Sequence, residues 1–204
     1  MNVTTRRITY AIGEIVLLAI LAFLPFALVY IDVVVFGHGV GESSVTEITQ
    51  EILLLMTVLI YWYGAWRHPN SRGFLMLVAG FFSCAFIREL DSIFDAVWHG
   101  FWFWPTLMVA LTTISYVLLR CRSSVIGPMS NVIGTRPYFY IIIGLVTLLV
   151  FSRTFGSGDL LWKDLMGVAY KHSFKSALQE GFELFGYLQI AYGSGVFFFK
   201  RFDS

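Results

Sequence analysis

Long apolar runs that stop just short of a bilayer's thickness constrain this chain more than any other feature. Residues 52–66 are uncharged for 15 positions after Glu51, 73–87 for 15 before Arg88, and 184–199 for 16 after Glu183. A helix that crosses the hydrocarbon core needs about 20 residues. The sequence therefore predicts that Glu47/Glu51, Arg88/Glu89/Asp91 and Glu180/Glu183 are drawn into the membrane to complete three spans. An ionisable group there is costly and marks a functional site by default.

The whole chain fits this reading. It has 204 residues, 57% hydrophobic and only 13% charged, against about 25% charged in a soluble domain. One integral membrane domain, 1–204, is expected, all-α, as a bundle of six transmembrane helices. The expected spans are 8–36, 45–66, 73–97, 100–119, 137–152 and 177–199. Arg6 and Arg7 precede a first apolar stretch too long for a signal-peptide core of about 7–15 residues, so that stretch is read as an uncleaved span. The net charge is +1 and the basic residues are scattered over short loops. This argues against nucleic acid as a partner, which wants a clustered basic face. Cys84 and Cys121 make no C-x-x-C pair and no disulfide framework. His38 and His68, flanked by turn residues, are expected to be exposed.

Orientation follows from Lys and Arg in the short loops. With the N-terminus inside, nine of them lie inside (Arg6, Arg7, Arg67, Arg72, Arg120, Arg122, Arg136, Lys200, Arg201) and four outside (Arg153, Lys163, Lys171, Lys175). Both termini are thus expected in the cytoplasm of a bacterial cell, with the chain in its inner membrane. Trp98, Trp102 and Trp104 would mark the outer interface, and Trp62 and Trp66 the inner one. The outer connection 153–176 carries Leu161, Leu165 and Val168 at helical spacing, so 159–170 is expected to form an interfacial helix.

Alternating spans put the three charged sets on one side of the membrane, whatever the absolute orientation. Ser44-Val45-Thr46-Glu47 is a capping-box pattern, which starts the second helix before Glu51. In the third span Cys84, Arg88, Asp91, Asp95 and His99 follow one helical stripe. Arg88 needs a partner at that depth, and Glu51 or Glu183 from a neighbouring helix is the expected one, while Glu89 should face elsewhere. His99-Gly100 predicts a tight hairpin into the fourth span. Gly186, Gly193 and Gly195 make the last span a close-packing helix.

Three functions suit such a cluster. One is a metal-assisted hydrolase of a lipid or lipid-linked substrate in the outer leaflet. There Asp95, His99 and Glu183 would hold a divalent metal through oxygen and imidazole donors, and Glu89 or Asp91 would be the catalytic base. The second is a proton- or ion-coupled transporter, with facing carboxylates as carriers. The third is a structural subunit with the charges as ion pairs. Glu51, Arg88, Glu180 and His172 complete the expected polar site, and Lys171 and Lys175 stand near its mouth.

Phe86-Ile87-Arg88-Glu89-Leu90-Asp91, followed by His99-Gly100-Phe101-Trp102, resembles a pattern in small bacterial inner-membrane proteins of no established activity. That resemblance covers about a fifth of the chain and implies location rather than function. Asp95 and His99 also resemble half of the ligand set in membrane-embedded metal hydrolases of the alkaline ceramidase type. Their second half, a His-x-x-x-His motif, does not occur here.

Overall fold

In lipid a chain must satisfy its own backbone N–H and C=O groups, and a single segment does so only as a helix. The computed structural model, which describes residues 3–37, 39–41 and 44–202, is accordingly all-helical, with no strand among them. The expectation for His38 falls outside the described residues; His68 is half-buried.

Helix α1, Val3–Tyr30, runs on into a wider π-helical stretch, Ile31–Phe36, and ends at Gly37, whose φ of 69° reverses the chain. Then come α2 (Val45–Arg67), α3 (Arg72–Glu89) and a short α4 (Asp91–Asp95). Helix α5 (Phe103–Tyr116) extends through Val117–Cys121, and α6 (Ile126–Val132) is brief. Helix α7 (Arg136–Val146) continues through Thr147–Phe151 into α8 (Ser152–Phe155). The short α9 (Lys163–Met166) and the long α10 (His172–Phe202) complete the chain.

Five stretches are long and apolar enough to cross a bilayer: Thr4–Phe36, Val45–Arg67, Pro69–Glu89, Phe103–Ser124 and Arg136–Phe155. The expected sixth span is not among them. Helix α10 has 31 residues, but Gln189, Ser194, three glycines and two tyrosines dilute its uncharged run.

That dilution reflects the position of α10, which packs against α7, α2, α1 and α8, while α3 packs on α2 and α5. Leu54, Tyr61, Leu75, Phe82, Leu184, Tyr187 and Ile190 form the buried centre. Backbones meet closely where α10 crosses α7. A Cβ on Gly144 would stand 2.7 Å from the Gly186 carbonyl, and one on Gly193 would stand 2.9 Å from the Pro137 carbonyl. Gly195, expected in the same role, faces open space. Helix α1 leans on α10 and leaves Ile8, Ile12, Ile15 and Phe23 exposed, as a lipid-facing helix would.

Two local expectations need correction. The third span is not one helix to residue 97: α3 ends at Glu89 and Leu90 turns the chain into α4. The stripe Cys84–Arg88–Asp91–Asp95–His99 is therefore broken after Arg88. The segment 159–170 is not one interfacial helix either. It is a π-turn (Gly158–Trp162), α9 and a 3-10 turn (Gly167–Ala169). Trp162 anchors it inward by donating its indole N–H to the Phe155 carbonyl at 2.6 Å and meeting Phe174 edge to face. The indole N–H of Trp62 donates to the Ser83 hydroxyl of α3 at 3.0 Å.

Candidate polar site at one end of the bundle

The site begins with how α2 starts. Ser44 caps it by accepting the Glu47 N–H at 3.1 Å, half of the expected capping box. A second cap comes from α1. Asp32, only 2% exposed, accepts Val45 N–H at 2.8 Å, Thr46 N–H at 2.9 Å and the Thr46 hydroxyl at 2.6 Å. A carboxylate at a helix N-terminus meets both the orphan N–H groups and the positive end of the dipole. Asp32 was not foreseen as part of this end. Its sequence signal is slight: it is the one carboxylate between Glu14 and Glu42.

From that fixed first turn, Gln50 reaches α10. Its amide donates to the Glu180 carbonyl at 3.1 Å and to the Glu180 carboxylate at 3.0 Å. One turn further along α10, Glu183 is 5% exposed. It accepts a hydrogen bond from Gln179 at 3.1 Å and lies 3.9 Å from Arg153 on α8. A further turn on, the Tyr187 hydroxyl donates to Glu89 of α3 at 2.5 Å. Glu89 also holds Arg88, at 3.3 Å. Arg88 thus pairs with its sequence neighbour rather than directly with Glu51 or Glu183, and Glu89 does not face away from it. The last turn of α3 allows this because both long side chains bend over the helix end.

These contacts tie α2, α3, α8 and α10 into one network. The Glu89 charge acts on Glu51, Glu180 and Glu183, Glu47 acts on Glu180, and Arg88 and Arg153 both act on Glu183. So Arg88, Glu89, Glu180 and Glu183 are joined through α10 and its partners, whereas Glu51, half-buried, makes no side-chain hydrogen bond or ion pair among the described residues and feels only the Glu89 charge. Gln50, Gln179, Tyr187 and Arg153 belong with them and were missed. Tyr187 was legible in principle, standing four residues after Glu183 on the same helix face.

The remaining expected residues lie apart. Asp91 opens α4, half-buried, and makes no hydrogen bond or ion pair among the described residues. His172 is exposed at the start of α10. Asp95 pairs with His99 at 2.8 Å and accepts the Gly100 N–H at 2.8 Å. Gly100 needs its φ of 84° to make that turn. The Asp95 carboxylate therefore closes the hairpin leading to α5, and the His99 side chain is 99% exposed. Asp95, His99 and Glu183 do not converge. Among the described residues no three His, Cys, Asp or Glu side chains form a group able to hold a metal. The helix break at Leu90 is the physical reason, because it swings the 95–99 turn away from the line that ends at Arg88.

Compared with protein families, curated proteins and solved structures, the chain matches none.

Proposed function

We propose that the chain is a multipass protein of the bacterial inner membrane in which the carboxylate cluster carries protons, or small cations in their place, for coupled transport. One observation carries this reading. Among the described residues, four acids (Glu51, Glu89, Glu180, Glu183) lie with two guanidiniums (Arg88, Arg153) at this end of the bundle, where Glu89 holds Arg88 at 3.3 Å and Glu183 lies 3.9 Å from Arg153. A network serving only as ion pairs would balance its charges. Here the excess negative charge, partly buried, has to be met by protons, a bound cation or water, and burying a charge without such compensation is costly. Glu89 and Glu183 are the carriers in this reading. Tyr187 and Gln179 hold them in place, and Arg88 and Arg153 set how much negative charge the site tolerates.

Helix α10 is the sixth span in this proposal. Its 31 residues reach about 46 Å at 1.5 Å per residue, more than the roughly 30 Å core. The excess of Lys and Arg on the side opposite the cluster favours cytoplasmic termini, and so an outward-facing site. The hydrolase reading has weaker support, because its three metal ligands stand apart and Asp91 lies outside the network. The structural-subunit reading has to account for the unbalanced charge.

The test is infrared difference spectroscopy on the reconstituted protein, joined to proton flux into dye-loaded liposomes under an imposed potential. A protonated carboxyl band at neutral pH that vanishes in Glu183→Gln, together with slowed flux in Glu183→Gln and Glu89→Gln, is expected. Flux and carboxyl bands unchanged in both variants would refute the proposal.

A further inference from the structure

At the end of the bundle opposite the carboxylates, α3 and α7 diverge and leave a groove of about 440 Å³, within the usual roughly 300–1,000 Å³ of ligand sites. Phe74 and Val78 of α3 form one wall, Ile141 and Leu145 of α7 the other, Phe82 and Phe197 line it too, and α6 bounds one end through Met129 and Val132. No polar side chain but the hydroxyls of Tyr61 and Tyr138 lines it.

The turn that carries Arg120 and Arg122 lies at the α6 end of the groove, where Val125 lines it. The start of α3 is pinned there, Gly73 N–H donating to the Ser124 hydroxyl at 2.9 Å. Arg120 and Arg122 flank Cys121 in that same turn. Both are exposed and make no ion pair or hydrogen bond among the described residues. Arg72 and Arg136 begin α3 and α7. Among the described residues the acid facing this end is Glu14, already bound to Arg136 at 3.0 Å and to Tyr140 at 3.2 Å.

We infer that this groove binds a phospholipid with an anionic headgroup, one acyl chain lying between α3 and α7 and the headgroup at Arg120 and Arg122. An apolar slot opening sideways at membrane depth suits a chain. Unneutralised arginines at its lip suit a negative headgroup, each basic residue near a charged membrane surface adding about 1 kcal/mol.

Native mass spectrometry of the full chain, titrated with phosphatidylglycerol and phosphatidylcholine of identical acyl chains, tests this. The wild type should bind phosphatidylglycerol roughly thirtyfold more tightly, the order expected of two arginines. R120Q/R122Q should lower phosphatidylglycerol binding to the phosphatidylcholine level and leave the latter unchanged. Ile142 lines the groove from a partly exposed position, 37% accessible, so Ile142→Trp fills the slot without disturbing the core and should weaken both lipids. Equal affinities in the wild type, a preference surviving R120Q/R122Q, or binding unaffected by Ile142→Trp would overturn the inference. So would a disulfide-linked dimer formed through Ile142→Cys that excess lipid fails to prevent, since a second copy would then be the occupant. None of these positions touches the carboxylate cluster, so the outcome is independent of the transport reading.

Discussion

Removing the Asp32 carboxylate should unfasten the first turn of α2, and the structure sets the size of the effect. Asp32→Ala strands three donors. The Val45 N–H is only half-buried, so water replaces its lost partner at little cost. Thr46 is 0% exposed, so its N–H and hydroxyl stay dry, and each unsatisfied buried donor costs about 1–3 kcal/mol. Losing the charge at the helix N-terminus adds about 0.3–1 kcal/mol. Together these predict a loss of roughly 4 kcal/mol. Asp32→Asn keeps one acceptor but turns an amide N–H₂ toward a donor, and should cost about half as much. Reversible unfolding in mixed micelles, followed by circular dichroism, measures both. Because the same turn aims Gln50 at Glu180, hydrogen exchange at residues 45–50 should quicken in parallel. An Asp32→Ala protein within about 0.5 kcal/mol of wild type, the range of an ordinary surface change, would refute this account of how the site is positioned.

Gly186→Ala should destabilise the bundle by about 1–3 kcal/mol, since the new Cβ would stand 2.9 Å from the Gly144 carbonyl, whereas Gly195→Ala, facing open space, should be neutral in the same unfolding assay. Tyr187→Phe removes a charged hydrogen bond to Glu89 and should cost about 1.5–3 kcal/mol, with the infrared carboxyl bands of Glu89 shifting; unchanged bands would show that the two do not interact. In the connection between α8 and α10, Lys163 holds the Asp159 carboxyl below its usual range by hydrogen bonding and charge. The support this pair gives the 158–166 turns is therefore present above the ordinary Asp pKa and lost as pH falls through the lowered one. Protection factors there, with exchange corrected for its intrinsic slowing in acid, should fall on acidification in the wild type but not in Asp159→Asn, and salt should blunt the difference because the pair is exposed.

The helices were legible wherever a long apolar run met a clear stop: Ser44 before α2, Arg67 and His68-Pro69 after it, Pro137 at the start of α7. The meeting of α2, α3 and α10 at one end was legible too, because alternating spans fix which helix ends share a side. Two things were not. The break at Leu90 has no glycine or proline to announce it; it depends on where Arg88 and Glu89 find partners, which is tertiary. The pairing within the cluster was equally hidden. Periodicity places Glu89 on a face about 100° from Arg88, yet at a helix terminus the two side chains are free to curl together, and the Tyr187 hydroxyl gives Glu89 a reason to stay. The same reasoning separates the two ends of the molecule. Where one end gathers Glu51, Glu89, Glu180 and Glu183 around Arg88 and Arg153, the opposite end concentrates arginines with Glu14 as their described counter-charge. In the transport reading proposed above, a bundle so polarised would draw a positive charge to the carboxylates at one end and repel it at the guanidiniums of the other. On that reading uptake would begin at the acidic end, and passage onward would require that the basic end be screened, which an anionic headgroup at Arg120 and Arg122 would do.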